Sequence, residues 1–237
     1  MQILLLDTET TDLQNARLVQ LAYKDLTSGQ MVNELFKAPV AIGYGAMSIH
    51  HITNEMVAEK PSFAGSVQYQ ELASLAQAGV IIVAHNAPFD LQVLKNEGLS
   101  FPIFIDTCRV AQHLIPSEQH KLQYLRYFLQ FPPVVAEAHD ALGDVLVLEL
   151  LFNHLKTVVA EKFALEESEA VINKMIQLSQ EPLLIKSLGF GKHKGVPLEE
   201  LVMNDRGYLQ WLYDNESKKA ENEQNANLIY TLRYYLA

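Results

Sequence analysis

The sequence predicts an α/β fold: a mixed five-stranded sheet flanked by helices, followed by a small C-terminal α+β extension. Three observations predict it. Short continuous apolar runs, Gln2–Leu6 and Val80–Ala84, have the length and composition of strands buried on both faces. Segments of helical period alternate with such strands over roughly the first 156 residues. Beyond Lys156 the chain turns polar and acidic and then ends in a short, turn-rich, aromatic tail. A length of 237 residues accommodates one full domain and a small second one. The expected boundaries are a first domain over 1–156, a helical connection over 157–184 and a C-terminal domain over 185–237.

The elements follow in order. Gln2–Leu6 is a strand running into Asp7-Thr8-Glu9. Leu18–Leu26 and Met31–Lys37 are strands joined by Thr27-Ser28-Gly29-Gln30, a hairpin connection. Val67–Ala78 has helical spacing, with Val67, Leu72, Leu75 and Ala76 toward one side, and Gly79 ends it. Val80–Ala84 is the next strand, and Phe89–Glu97 a helix closed by Gly98. A short strand, Ile103–Ile105, precedes helices near Thr107–Leu114 and Lys121–Leu129. Phe131-Pro132-Pro133 breaks the pattern before a long apolar helix over Ala141–Lys156. Glu161–Gln180 is helical and polar, an ordered connection because Pro, Gly and Ser are scarce in it. In the tail, Pro197–Met203, Gly207–Tyr213 and Ala226–Leu236 have helical spacing.

Composition bounds the function. Half the residues are apolar (49%) and 19% charged, so the chain buries a core. No apolar run approaches the ~18–20 residues of a membrane span, and the N-terminus lacks a basic n-region. The single cysteine, Cys108, excludes an intrachain disulfide framework and a multi-Cys zinc site. The expectation is a soluble, cytoplasmic protein with no membrane partner. The formal net charge of −10 argues against a broad basic surface for nucleic acid.

Three segments carry candidate chemistry. Asp7 and Glu9 lie two apart at the end of a strand, so their side chains share a face; alone, the pair reads as readily as two solvated acids ending a strand. Asp90 follows the buried strand and the His85-Asn86-Ala87-Pro88 turn, in the first turn of a helix, where an acid also simply suits the helix dipole. His139 and Asp144 flank the start of the long helix. Five residues apart on a helix is a rotation of about 140°, so they converge only if His139 stands on the preceding loop; Asp140 reads as an N-cap. Together the segments offer four carboxylates and one imidazole at strand ends and helix starts. Four acids at close quarters stay ionised only with cations, and hard divalent ions such as Mg²⁺ or Mn²⁺ suit oxygen donors. Two such ions about 3.5–4 Å apart clamp the attacking and leaving oxygens of a phosphoryl displacement. A nearby imidazole can take the proton of the attacking water.

Asp7-Thr-Glu9-Thr-Thr, His85-Asn-Ala-x-Phe-Asp90 and His139-x-Ala-Leu-x-Asp144 resemble, in order and spacing, the three motifs of the DEDDh (DnaQ-like) family of 3′→5′ exonucleases, which have an RNase H-like fold. Met47-Ser-Ile-His50-His51-Ile52-Thr53 resembles a family stretch before the second motif. Asp140, four before Asp144, disfavours the tyrosine-type subclass. The resemblance implies a metal-dependent exonuclease that releases nucleoside 5′-monophosphates from a DNA 3′ end. It implies Mg²⁺, two per site with Mn²⁺ substituting, held by Asp7, Glu9, Asp90 and Asp144, with His139 as general base. Thr10 and Leu13 would meet the terminal nucleotide. Asp12 and His51 stand where the family usually has glycine. A role in DNA repair follows, with an exoribonuclease, or a proofreading-type subunit docking a polymerase or repair partner, as alternatives; some family members are homodimers.

Gly189-Phe-Gly-Lys-His-Lys-Gly195 with Tyr208-Leu-Gln-Trp211 resembles the C-terminal segment of exonuclease X-like members. Residues 185–195 hold Lys186, Lys192 and Lys194 and no acid, so these, with His193, are candidate DNA or partner contacts. Tyr208 and Trp211, three apart on one helix face, are expected in the core.

Overall fold

The structure, a computed structural model, describes residues 1–133, 141–220 and 223–237. Contacts divide it into two compact units, Met1–Ser179 and Gln180–Ala237.

In the first unit, β1 (Ile3–Thr10), β2 (Leu18–Asp25) and β3 (Met31–Leu35) form an antiparallel meander. The expected hairpin joins β2 and β3: Gly29 takes φ +76° there, and the Asp25 carboxylate accepts from the Thr27 N–H at 2.7 Å. Helices α1 (Tyr44–His50) and α2 (Asn54–Val57) follow; at seven and four residues they are too short to show a helical period. Then come α3 (Val67–Gln77), β4 (Ile81–Ala84), α4 (Ala87–Asn96), β5 (Phe104–Asp106), α5 (Thr107–Leu114), α6 (Leu122–Phe128) and α7 (Ala141–Phe163). The sheet order is β3-β2-β1-β4-β5, with β4 and β5 parallel to β1. This is the mixed five-stranded sheet the sequence predicts, flanked by helices.

Strand alternation sorts the core into two layers. Leu4, Leu6 and Ile82 pack with Leu72, Val93 and Leu94 of α3 and α4. Leu5, Val83 and Ile105 pack on the opposite face with Val110, Leu125 and Val145 of α5, α6 and α7. Asp7 and Glu9 continue the alternation of Leu5 and so lie on the α7 side.

The connection expected over 157–184 divides differently. α7 runs on to Phe163, and Ala164 turns the chain at φ +52°. α8 (Ser168–Gln180) then buries Val171, Ile172, Met175 and Leu178 in the α7-side core. Each such side chain contributes roughly 1.5–3 kcal/mol. The Ser179 hydroxyl donates to the Met175 carbonyl and accepts from the Asp106 N–H, both at 2.8 Å. The polar surface of α8 hides this docking stripe, so the compact unit closes at Ser179.

The second unit holds α9 (Leu198–Asn204), α10 (Arg206–Ser217) and α11 (Ala226–Leu236) around Leu188, Leu198, Leu201, Leu209, Leu228 and Leu232. Its extended part, among the described residues, is a single bridge, Ser187 with Pro197. Tyr208 lies at the edge of this core, but Trp211 is 57% exposed and stacks on Tyr208 from outside it. The three-residue spacing correctly pairs the two rings, but the leucines already fill the interior. No described helix is long and apolar enough to cross a membrane.

Candidate active site

β4 leaves β1 early. The two strands pair from Ile3–Ile81 to Leu5–Val83, whereas β1 stays paired with β2 as far as Thr10. The last residues of β1 therefore border a crevice beyond the end of β4, the usual place for a ligand in an α/β sheet. Asp7, Glu9 and, from the first turn of α7, Asp144 each bring a carboxylate oxygen into this crevice, all within 4.8 Å of one another. All three residues are half-buried. α7 is held over this face partly by Glu149, whose carboxylate accepts from Lys24 of β2 at 2.8 Å. The Asp144 Oδ1 accepts from the Gln123 side-chain amide of α6.

Asp90 stands apart from this trio. α4 lies on the opposite layer, and its first turn meets β1 at the edge β4 has vacated. There Oδ1 of Asp90 accepts from the Thr8 N–H at 3.1 Å and the Thr8 hydroxyl at 2.7 Å. It supplies the partner that a neighbouring strand would otherwise give. Burial pushes the Asp90 carboxyl up to about 7, against the Thr8 hydrogen bonds, with Asp106 adding repulsion. The structure thus gathers three of the four predicted carboxylates directly and couples the fourth to them through Thr8. His139 and Asp140 lie outside the described residues.

The turn into α4 is built for this. Asn86 takes the left-handed conformation, φ +71°, which asparagine tolerates, and its N–H donates to Asp106 at 2.9 Å. Asp106 also caps α5 through the Cys108 N–H at 3.0 Å. His85 is pinned between the Thr107 hydroxyl at 3.0 Å and the His120 carbonyl at 2.7 Å, and burial pushes its pKa below the usual imidazole value.

Beside Glu9 opens a pocket of about 240 Å³, lined by Thr10, Leu13, Ala46, Ile49, His50 and Phe89 among others. Leu13 is 77% exposed on its rim. Thr10 is buried, its hydroxyl donating to the Asp12 carbonyl at 2.9 Å. Asp12 avoids the left-handed region, and its carboxylate accepts from the Leu13 N–H at 2.6 Å, fixing the rim. His51, the other departure from glycine, does occupy that region at φ +61° as the C-cap of α1. His50 accepts from the Ile52 N–H at Nδ1 (3.0 Å), so Nε2 donates to the Thr10 carbonyl (3.1 Å). Both ring nitrogens are engaged, and burial lowers the pKa, so His50 shapes the pocket as a neutral ring. The loop between β1 and β2 is closed by Arg17, whose guanidinium donates to Glu97 at 2.8 and 2.9 Å.

The predicted tail contacts divide. Lys192 and His193 each bond the same Asp205 oxygen at 2.9 Å, while Lys186 and Lys194 are exposed. Sequence reasoning assigned no separate role to Thr8, Gln123 or His85, although His85 opens the second motif. Thr8 sits inside the first motif, but Gln123 is an ordinary polar residue on a helix remote in sequence from Asp144 and leaves no signal.

The donor set fits a metal. Three converging carboxylates offer only oxygen, the ligand preference of hard divalent cations, and like charges this close need a cation between them.

Comparison with known proteins agrees with this geometry. A family model described as "Exonuclease" matches residues 4–152, and one described as "Exodeoxyribonuclease X-like C-terminal" matches residues 188–217. Exodeoxyribonuclease 10 of Escherichia coli (strain K12) is 28% identical over 98% of this chain and 97% of its own. The DNA polymerase III subunit epsilon of Treponema pallidum (strain Nichols) is 32% identical over 62% of this chain and 72% of its own. Among solved structures, exonuclease X in complex with 5′ overhanging duplex DNA superposes with a TM-score of 0.57 at 27% identity, covering 75% of this chain and 99% of that one. E. coli exonuclease I with a dT13 oligonucleotide shares the fold, at a TM-score of 0.56 and 20% identity, over 69% of this chain and 42% of that one. With its motifs on a sheet of this topology and the family model spanning most of its length, the chain belongs to the exonuclease family.

Proposed function

We propose that this chain is a divalent-metal-dependent 3′→5′ exonuclease that hydrolyses DNA from its 3′ end and releases nucleoside 5′-monophosphates. The observation that carries the reading is the convergence of Asp7, Glu9 and Asp144 beyond the end of β4. Similarity over nearly the full chain to a protein named exodeoxyribonuclease supports DNA as the substrate.

Asp7, Glu9 and Asp144 would hold the metal, with Asp90 completing the donor set. When bound, divalent cations, Mg²⁺ with Mn²⁺ able to substitute, stabilise charge on the attacking and leaving oxygens. Gln123 orients Asp144, and Thr8 orients Asp90, so the carboxylates are held before substrate arrives. Thr10 and Leu13 would seat the terminal nucleoside in the pocket beside Glu9. His139, two residues before α7 in the sequence, is assigned the proton of the attacking water, a role worth roughly 10²–10⁴ in rate.

Matched single-stranded DNA, duplex DNA and RNA substrates test the reading. The expected outcome is stepwise shortening from the 3′ end of DNA with 5′-monophosphate products. RNA degraded faster than both DNA forms would replace DNA as the substrate.

A further inference from the structure

The first unit accounts for hydrolysis, but not for what the second unit presents to solvent. In that unit the Lys-His turn is clamped onto the start of α10. Lys192 and His193 both bond Asp205 Oδ2, and Asp205 Oδ1 caps the helix through the Tyr208 N–H at 3.1 Å. These contacts hold the Asp205 carboxyl down at about 2. Gly191, at φ +72°, lies so close that an added Cβ would stand 2.7 Å from the Tyr208 hydroxyl. His193 meets the Tyr208 ring edge-on at 4.8 Å, and the Lys192 ammonium lies 4.9 Å from the ring centre. The Tyr208 ring in turn stacks on Trp211, centroids 5.7 Å apart and planes 30° from parallel.

This is a fixed ladder of cation, tyrosine and tryptophan whose last rung faces water. Trp211 is 57% exposed, Phe190 beside the turn is 46% exposed, and Lys186 and Lys194 are exposed on a segment without acids. An exposed indole stacked on a tyrosine that also meets the Lys192 ammonium matches the way proteins hold single-stranded nucleic acid: bases stack on aromatic faces and phosphates meet lysines. A partner held by burial alone would have no use for the flanking cations.

We propose that the second unit is a single-strand nucleic-acid grip, in which Trp211 stacks on an unpaired base and Lys186 and Lys194 meet the adjoining phosphates. It extends the exonuclease reading, giving a protein of net charge −10 a local handhold on its substrate.

Trp211 is the chain's one tryptophan, so its emission reports the contact directly. The full-length protein is titrated in EDTA with a phosphorothioate oligothymidylate, following tryptophan emission and the anisotropy of a label on the oligonucleotide. Saturable quenching is expected, with Trp211→Ala weakening binding about tenfold and Trp211→Phe largely restoring it. Lys194→Ala is expected to reduce the slope of log K against log salt by about 0.7. Binding by anisotropy with unchanged emission, or unchanged affinity in Trp211→Ala, overturns the proposal. Hydrolysis of unmodified DNA with Mg²⁺ is scored separately. Hydrolysis without quenching removes the grip and leaves the exonuclease; quenching without hydrolysis does the reverse.

Discussion

Replacing Asp90 by asparagine separates what the site costs from what it does. Asp90 is 3% exposed, and its carboxyl is raised from 3.8 to about 7 by burial. The native state therefore holds a proton more tightly than the unfolded chain, and between these values stability falls as pH rises. A rise of this size corresponds to about 4 kcal/mol, lost between pH ~4 and ~7 and constant above. The substituted amide retains an oxygen for the two Thr8 donors but carries no charge. In EDTA at pH 8 the Asp90→Asn protein should be more stable by about 2–4 kcal/mol in urea unfolding, and the difference should shrink toward zero at pH 4. Mg²⁺ should stabilise the parent more than the variant, because a ligand that binds only the folded state adds its own linkage. Exonuclease activity should fall at least a hundredfold. Identical pH profiles for the two proteins, or a variant less stable at pH 8, would refute the assignment of a buried, destabilising carboxylate at this position.

Three further outcomes follow from the same contacts. Glu97, 5% exposed in its side chain, is pushed up by burial, but the Arg17 and Leu18 hydrogen bonds and the Arg17 charge outweigh that and leave it below the usual carboxylate range. Its contribution is present above pH ~4.3 and lost as pH falls through its native pKa; Glu97→Gln should cost about 1–3 kcal/mol at pH 7 and little at pH 3 by denaturant titration. Gln123→Leu should lower kcat about tenfold or more with KM nearly unchanged, since Asp144 keeps its position on α7 but loses the Gln123 hydrogen bond to Oδ1; an unchanged kcat would reduce the contact to packing. Gly191→Ala should destabilise the second unit by more than about 1 kcal/mol, because φ +72° and the Tyr208 hydroxyl both oppose a Cβ; hydrogen exchange in α10 reads this directly.

Much of the site was legible because its chemistry is local in sequence. Asp7 and Glu9 share a face by strand alternation, and the Asn86 turn and Asp106 cap follow from side chains that tolerate or terminate particular backbone states. What stayed hidden depended on distant surfaces. The motifs bring four carboxylates to one region, but only the early exit of β4 explains why Asp90 bonds to Thr8 from the opposite layer. α8 looked like a connection because its polar face dominates, while four spaced apolar residues dock it. Trp211 looked buried because helical spacing gives a face without saying whether other residues have already filled the core behind it. At His51 the departure from glycine was visible, but not that the left-handed cap is kept there, at a cost of about 1 kcal/mol.

Whether Asp7, Glu9 and Asp144 form one metal-dependent centre acting on DNA 3′ ends is read most directly from reaction products. The substrate is a 5′-labelled single-stranded DNA with a free or a blocked 3′ end, incubated with and without Mg²⁺, for the parent and for Asp7→Ala. A ladder of 3′-shortened products is expected only with Mg²⁺, a free 3′ end and Asp7 intact. Equal cleavage by Asp7→Ala, cleavage in EDTA, or internal cuts that ignore the 3′ block would contradict a metal-dependent exonuclease centred on these carboxylates.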